Sequence, residues 1–171
     1  GMIAASVPSV VVTLVQVALG VAGAMVFADG AVVVNPLLII VAILGASVFL
    51  GGVSAWTSRY TSTVEGAQFS TMPVLMVLLF TSGSLIPVGV FPEALARLSE
   101  WTPFYAVNEL IGIGMTGVGS AAIGAVGATA QVTGSFVDSW SVALEPLVVL
   151  VVWAAIGVEI ARRTMRFAPR R

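Results

Sequence analysis

The chain has no cysteine and no histidine, and all seven of its cationic residues are arginine, so lysine is missing as well. These absences exclude disulfides, thiolate chemistry, imidazole bases and the commonest zinc and haem ligands. Charge is scarce too, at 9% of residues, against roughly one-quarter in a soluble domain. A net charge of −1 sets up no field to gather a phosphate backbone, so a nucleic-acid partner is not expected. The phosphate-loop pattern G-x-x-x-x-G-K-[ST] is missing. Gly112, Gly114 and Gly117 spell a dinucleotide fingerprint, but no strand signal precedes them. No two acids are spaced in a way that singles them out for acid-base chemistry. The chain reads as a non-enzyme with no metal or cofactor of its own.

Hydrophobic residues make up 58% of the sequence, and its mean hydropathy is +1.09. No charged residue precedes Asp29, none separates Asp29 from Arg59, and none separates Glu65 from Glu93. Each gap holds a bilayer-length segment of about 20 residues. The expected fold is therefore all-α and polytopic, a single transmembrane domain over 1–171 with about four spans at 7–27, 37–56, 71–86 and 142–160. Asn35-Pro36 suits a helix start. The third run meets Ser82-Gly83-Ser84 and Pro87 before it is long enough to cross, so its end is expected to be broken or bent.

Residues 87–110 read as short re-entrant or outer elements. The piece 91–101 is amphipathic: Phe91, Leu95, Leu98 and the following Thr102 share one face and Glu93, Arg97 and Glu100 the other, with Glu93 and Arg97 at a favourable i,i+4 spacing. A second proline-led piece, 103–110, follows at once. From 111 to 137 no charge interrupts a glycine-rich stretch, which is a flexible loop or a weak fifth span. The tail 161–171 carries five arginines and places the C-terminus in the cytoplasm. Four spans put Arg59 inside and Arg97 outside, whereas a fifth span reverses both, so arginine counting leaves the two topologies tied.

Small residues four apart suit close helix approach: Gly20 with Ala24, Ala42 with Ala46, Ser47 with Gly51, and Gly51 with Ala55. Glu145 and Glu159 read as boundary residues near the ends of the last span. Glu109, in the broken region, is the better placed acid for a polar role within the membrane.

The order of features from Thr57 to Leu110 resembles the permease subunits of type-2 ATP-binding-cassette exporters, in their C-terminal part. A polar loop at 58–67 precedes a span that ends in Ser82-Gly83-Ser84-Leu85-Ile86-Pro87. Phe91-Pro92-Glu93-Ala94-Leu95 and Pro103-Phe104-Tyr105-Ala106-Val107-Asn108-Glu109-Leu110 follow, and then one helix with an arginine tail. The likeness covers about a third of the chain closely, and Ile111 stands where the family often has arginine. It implies a multi-pass plasma-membrane permease for export of an amphipathic or hydrophobic substrate such as a drug, lipid or polysaccharide. The implied partners are a second permease copy or half, the lipid bilayer, and a separate ATPase subunit that holds the ATP and magnesium. Ser82, Gly83, Pro87, Pro92, Pro103, Tyr105 and Glu109 become outer-gate candidates, and Arg59 and Glu65 candidates to face the ATPase. The alternatives are a non-transporting scaffold or assembly subunit, and a truncated permease fragment without activity alone.

Overall fold

The computed structural model describes residues 33–57, 60, 63–117 and 135–164. The expected span at 7–27, Arg59, the glycine-rich residues 118–134 and the tail from 165 lie outside them. Among the described residues the chain is all-α, with five helices and no strand: α1 (Pro36–Thr57), α2 (Val64–Thr81), α3 (Glu93–Glu100), α4 (Pro103–Thr116) and α5 (Phe136–Thr164), plus a 3-10 turn at Val88–Val90.

Two of these helices, α1 and α5, are long and apolar enough to cross a bilayer, with mean hydropathies of 2.5 and 2.2 over their richest windows. At a 1.5 Å rise per residue, α1 is about 33 Å long, close to the hydrocarbon thickness. Each exposes large apolar residues as well as burying them. Leu38, Ala42 and Phe49 of α1 are buried while Leu37, Ile40, Leu44 and Val48 are exposed, and α5 likewise exposes Leu144, Val148, Val151, Val152 and Ile156. Such an exterior suits acyl chains and not water.

Asn35 starts α1. Its Oδ1 accepts from the amides of Leu37 and Leu38 at 3.1 and 3.3 Å, a capping geometry that satisfies two of the donors a helix N-terminus leaves open. Its Nδ2 donates to Ser139 Oγ at 2.8 Å, and its own amide donates to the Gly114 carbonyl at 2.8 Å. This fully buried asparagine thus brings the start of α1, the start of α5 and the end of α4 to one level.

From there α1 and α5 run parallel. Gly45 faces Leu150, Phe49 stacks edge-on against Trp153 with centroids 5.4 Å apart, and Gly52 faces Gly157. The backbones approach so closely that a Cβ on Gly52 would sit 2.3 Å from the Gly157 carbonyl oxygen. Small residues do allow close packing, but at positions other than most of those the sequence suggests. Gly51 has nothing within 4 Å of its would-be Cβ, and of the expected residues that are described Ala42 alone enters the core, while Gly20 and Ala24 lie outside the described residues.

α4 runs antiparallel between the two long helices. Its Ala106, Leu110 and Ile113 pack with Leu38 and Ala42 of α1 and with Ala143, Val149 and Leu150 of α5 to form the core. The helix crosses the boundary at 110 and continues to Gly117, which ends it in the left-handed region at φ 73°. Helix therefore extends into the glycine-rich stretch. α2 begins at Val64, inside the expected polar connection, because the Thr63 hydroxyl accepts from the Gly66 amide at 3.1 Å. Glu65 accordingly sits exposed in the first turn of α2 and not in a loop.

Candidate functional site

The break at Ser82-Gly83 is built by side chains. Ser82 caps α2, its hydroxyl donating to the Leu79 carbonyl at 2.6 Å and lying 2.6 Å from the Ser84 hydroxyl. Gly83 then takes φ 78°, a left-handed conformation that glycine adopts without strain. The turn is held to α4: Asn108 Nδ2 donates to the Ser82 carbonyl at 3.2 Å. Two motif elements separated by 26 positions are thereby in contact.

Gly83→Ala is expected to strain this turn. The left-handed region costs a residue with a Cβ about 1–2 kcal/mol, and the added carbon would lie 3.0 Å from Val88 Cγ2. Thermal melting of the purified chain checks the loss, and Gly51→Ala serves as the unstrained control.

After Gly83 the chain passes exposed Pro87, which precedes the 3-10 turn, and exposed Pro92, which occupies the cap position of α3. In α3 the Glu93–Arg97 pair forms at 2.6 Å with both side chains exposed, where such a pair is worth only a few tenths of a kcal/mol, of the order of 0.3–0.5. Leu95 and Leu98 are exposed as well, so the expected apolar face of α3 is present but not covered by the described residues. Thr102 caps α4, accepting from the Tyr105 amide at 3.4 Å, and buried Pro103 occupies the first turn, where its missing N–H is harmless.

Levels along the bundle follow from helical rise. Gly114 and Ser139 both meet Asn35. Asn108 lies six residues before Gly114, which places the Ser82 turn about 9 Å below that level. The Trp101 carbonyl accepts from Trp153 Nε1 at 2.7 Å, and Trp153 lies 14 residues after Ser139, about 21 Å below the same level. Between α2 and α4 the chain thus descends along the bundle, turns at Trp101-Thr102, and climbs back through α4 to its starting end.

A cavity of about 510 Å³ opens between α4 and α5, with Tyr105 and Glu109 on one side, Glu145, Pro146 and Val149 on the other, and Glu100 of α3 at its edge. Tyr105 is 7% exposed. Burial, reinforced by the negative charges of Glu109, Glu100 and Glu145, pushes its hydroxyl well above the usual tyrosine range of about 10. The hydroxyl is therefore neutral at physiological pH. Its proton-linked stability is complete below about pH 10, the unfolded value, and is lost as pH rises beyond it. Two measurements check this. Phenolate absorbance of Tyr105, by difference from Tyr105→Phe, should emerge only well above pH 10, and wild type should lose more stability than Tyr105→Phe over the same alkaline range.

Of the residues singled out in the sequence, the structure joins Ser82 and Gly83 to the Tyr105–Glu109 segment and leaves Pro87, Pro92 and Glu65 at the exposed periphery. It places Glu145 beside the cavity. Asn35 was read only as a helix start, and Asn108 and Ser139 were not singled out for a role. Their signal was an isolated amide or hydroxyl in apolar surroundings, which must find a partner when buried. Among the described residues no cluster of acids is arranged to hold a metal ion. No known protein family, curated protein or solved structure matches the chain.

Proposed function

We propose that the chain is the membrane-embedded permease subunit of a type-2 ATP-binding-cassette exporter, located in the plasma membrane with its C-terminus in the cytoplasm. The observation that carries this reading is the bond from Asn108 to the Ser82 carbonyl. It ties the serine-glycine break to the proline-led helix, so that the chain dips and returns beside an arginine-ended span. In this reading residues 82–110 enter from the outer side and form the outer gate. Irregular backbone at membrane depth persists only where protein or water covers it, and α4 with α5 supplies that cover.

The parallel course of α1 and α5 favours four spans over five. It sets Thr57 at the same end of the bundle as the arginines at 162 and 163, and so leaves Arg59 inside. Glu65, in the first turn of α2, then faces the cytoplasm, within reach of an ATPase or of inner headgroups. ATP and magnesium belong to that ATPase, and a second permease copy or half completes the path for an amphipathic or hydrophobic substrate.

The reading requires an ATP-binding-cassette ATPase gene beside this one, and co-expression of the two should give a complex that survives purification and hydrolyses ATP at a rate different from that of the free ATPase. Absence of both association and rate change sinks the exporter reading and leaves the scaffold. Topology is tested separately. The chain has no cysteine, so single cysteines at 97 and 125 report alone. Labelling of both from outside agrees with four spans, and labelling of 97 from the cytoplasm contradicts them.

A further inference from the structure

The stretch between α2 and α4 lies as a strap along a core built by α1, α4 and α5. From Gly83 to Trp101 Ser99 alone is buried, and Leu85, Val90, Leu98 and Trp101 are all exposed. α3 packs with α4 and the 3-10 turn, which are its neighbours in sequence. A helix of eight residues makes too few internal bonds to hold its shape alone. The order of α3 therefore depends on how the strap is fastened.

At one end the fastening is the bond from Asn108 to the Ser82 carbonyl. At the other end it is made by Trp153. Capping of α4 leaves the Trp101 carbonyl without a backbone donor, because the Tyr105 amide, four residues on, is spent on the Thr102 hydroxyl. Proline at 103 brings no N–H to the turn either. The Trp153 indole N–H fills the place at 2.7 Å, and a carbonyl so supplied escapes the cost of an unpaired acceptor.

The donor is itself held in place. The Trp153 ring stands edge-on to Phe49 with centroids 5.4 Å apart and packs against the core. One group on the seam between α1 and α5 thus fixes a turn 52 positions away in sequence. The other bonds at that turn are local. Thr102 donates to the Ser99 carbonyl through its hydroxyl at 2.7 Å and its amide at 2.9 Å, which joins α3 to the cap of α4 but not to α5.

We propose that residues 84–101 open from the core as one unit and that the Trp153 indole N–H is the latch that holds them shut. When the latch bond breaks, the strap stays tethered at Ser82 and Thr102 while α1, α4 and α5 keep their packing. Glu100 borders the cavity between α4 and α5, so the same opening uncovers the edge of that cavity. In the exporter reading the strap is the moving part of the outer gate. The latch is a property of this chain alone, so failure of the exporter reading and failure of this one are separate results.

The test is hydrogen exchange of the full chain in detergent micelles. In wild type, peptides covering 84–101 should exchange together and faster than those of α1, α4 and α5, as a locally opening unit does. Trp153→Phe keeps an aromatic ring beside Phe49 and removes the donor. It should speed exchange of the strap about fivefold, the effect of one hydrogen bond, and leave α1 and α5 unchanged. Trp140→Phe alters the other tryptophan of α5, which stands edge-on to Phe136, and should leave the strap as in wild type. A wild-type measurement serves should Trp153→Phe misfold. The Trp153 indole N–H, assigned by elimination with Trp56→Phe, Trp101→Phe and Trp140→Phe, should show the same protection factor as the strap amides, because latch and strap open in one event. Strap exchange unchanged in Trp153→Phe overturns the proposal, as does an equal rise in α1 and α5, which would make Trp153 a packing residue only. Strap exchange no faster than that of the core in wild type, or an indole protection factor unlike that of the strap, overturns it as well.

Discussion

Gly52→Val is expected to destabilise the chain by about 3 kcal/mol, at the upper end of overpacking costs, while Gly51→Ala, one residue away, stabilises it by up to about 1 kcal/mol. The opposite signs follow from the backbone. A Cβ on Gly52 meets the Gly157 carbonyl oxygen at 2.3 Å and the Gly157 Cα at 2.6 Å. Neither atom belongs to a flexible side chain, so the strain cannot be relieved by a rotamer change and α1 must move from α5. The reciprocal position agrees: a Cβ on Gly157 would lie 2.8 Å from the Phe49 Cα. Gly51 faces open space, and there alanine only adds helix propensity. Where dispersion across close contacts drives helix association in place of hydrophobic exclusion, separation of the two backbones loses contacts along the whole seam, including the edge-on stack of Phe49 on Trp153. Thermal unfolding followed by size-exclusion chromatography decides the matter, and similar melting of the two variants would remove the glycine seam as the basis of α1–α5 packing.

Asn35→Ala comes next, with an expected loss of about 2 kcal/mol. The substitution removes a helix cap, worth about 1 kcal/mol, and a buried side-chain hydrogen bond worth about 1 kcal/mol more. Asn35→Asp separates the two roles. It keeps an oxygen for the Leu37 and Leu38 amides but has no amide to offer Ser139, and it places a carboxylate where the native residue is fully buried. If the cap dominates, Asn35→Asp melts above Asn35→Ala. If the tie to α5 dominates, it melts at or below it. Ser139→Ala should cost less than Asn35→Ala, since it spares the cap. No change in melting for Asn35→Ala would contradict the junction described above.

How far the fold was legible in the sequence depended on the kind of signal. The second expected span, 37–56, agrees within one residue at each end with Pro36–Thr57, because Asn35-Pro36 is a local start signal and needs no tertiary context. The last span was read as 142–160 from hydropathy, whereas α5 begins at Phe136. Asp138, Ser139 and Ser141 lower the hydropathy of the first turns without breaking the helix. The Ser141 and Ser139 hydroxyls bond back to the carbonyls of Asp138 and Phe136, three residues behind each. Glycine density suggested a loop or weak span from 111, yet α4 runs to Thr116 because Gly114 is where α4 meets Asn35 and Ile39. Glycine marked a close approach there and not a break.

The candidate site was legible as a list of residues but not as an arrangement. Ser82, Gly83, Tyr105 and Glu109 stood out because a serine-glycine pair and a proline-led piece interrupt apolar sequence. Their partners did not. Asn108 to the Ser82 carbonyl and Trp153 to Trp101 are contacts between elements, and Glu145 and Glu109 line one cavity from two elements, whereas periodicity within one element carries no information about its neighbour. For Glu145, closeness to a span end and closeness to a cavity look the same in one dimension.

The uneven lengths of the helices bear on the order in which the chain can be assembled. The apolar part of α2, Phe69–Thr81, is about 20 Å long, shorter than the hydrocarbon of a bilayer, and it ends at a carbonyl whose bond comes from Asn108. On a ribosome that has not yet released α4, the end of α2 has no protein cover, and α1 has neither Ala106 nor Leu110 against it. Under the membrane reading proposed above, insertion would not proceed as a sequence of finished hairpins. On that reading α1 and α2 would wait beside the translocation machinery until α4 emerges and α5 closes the seam, which makes the nascent chain's residence there a property written into the length of its shortest apolar helix.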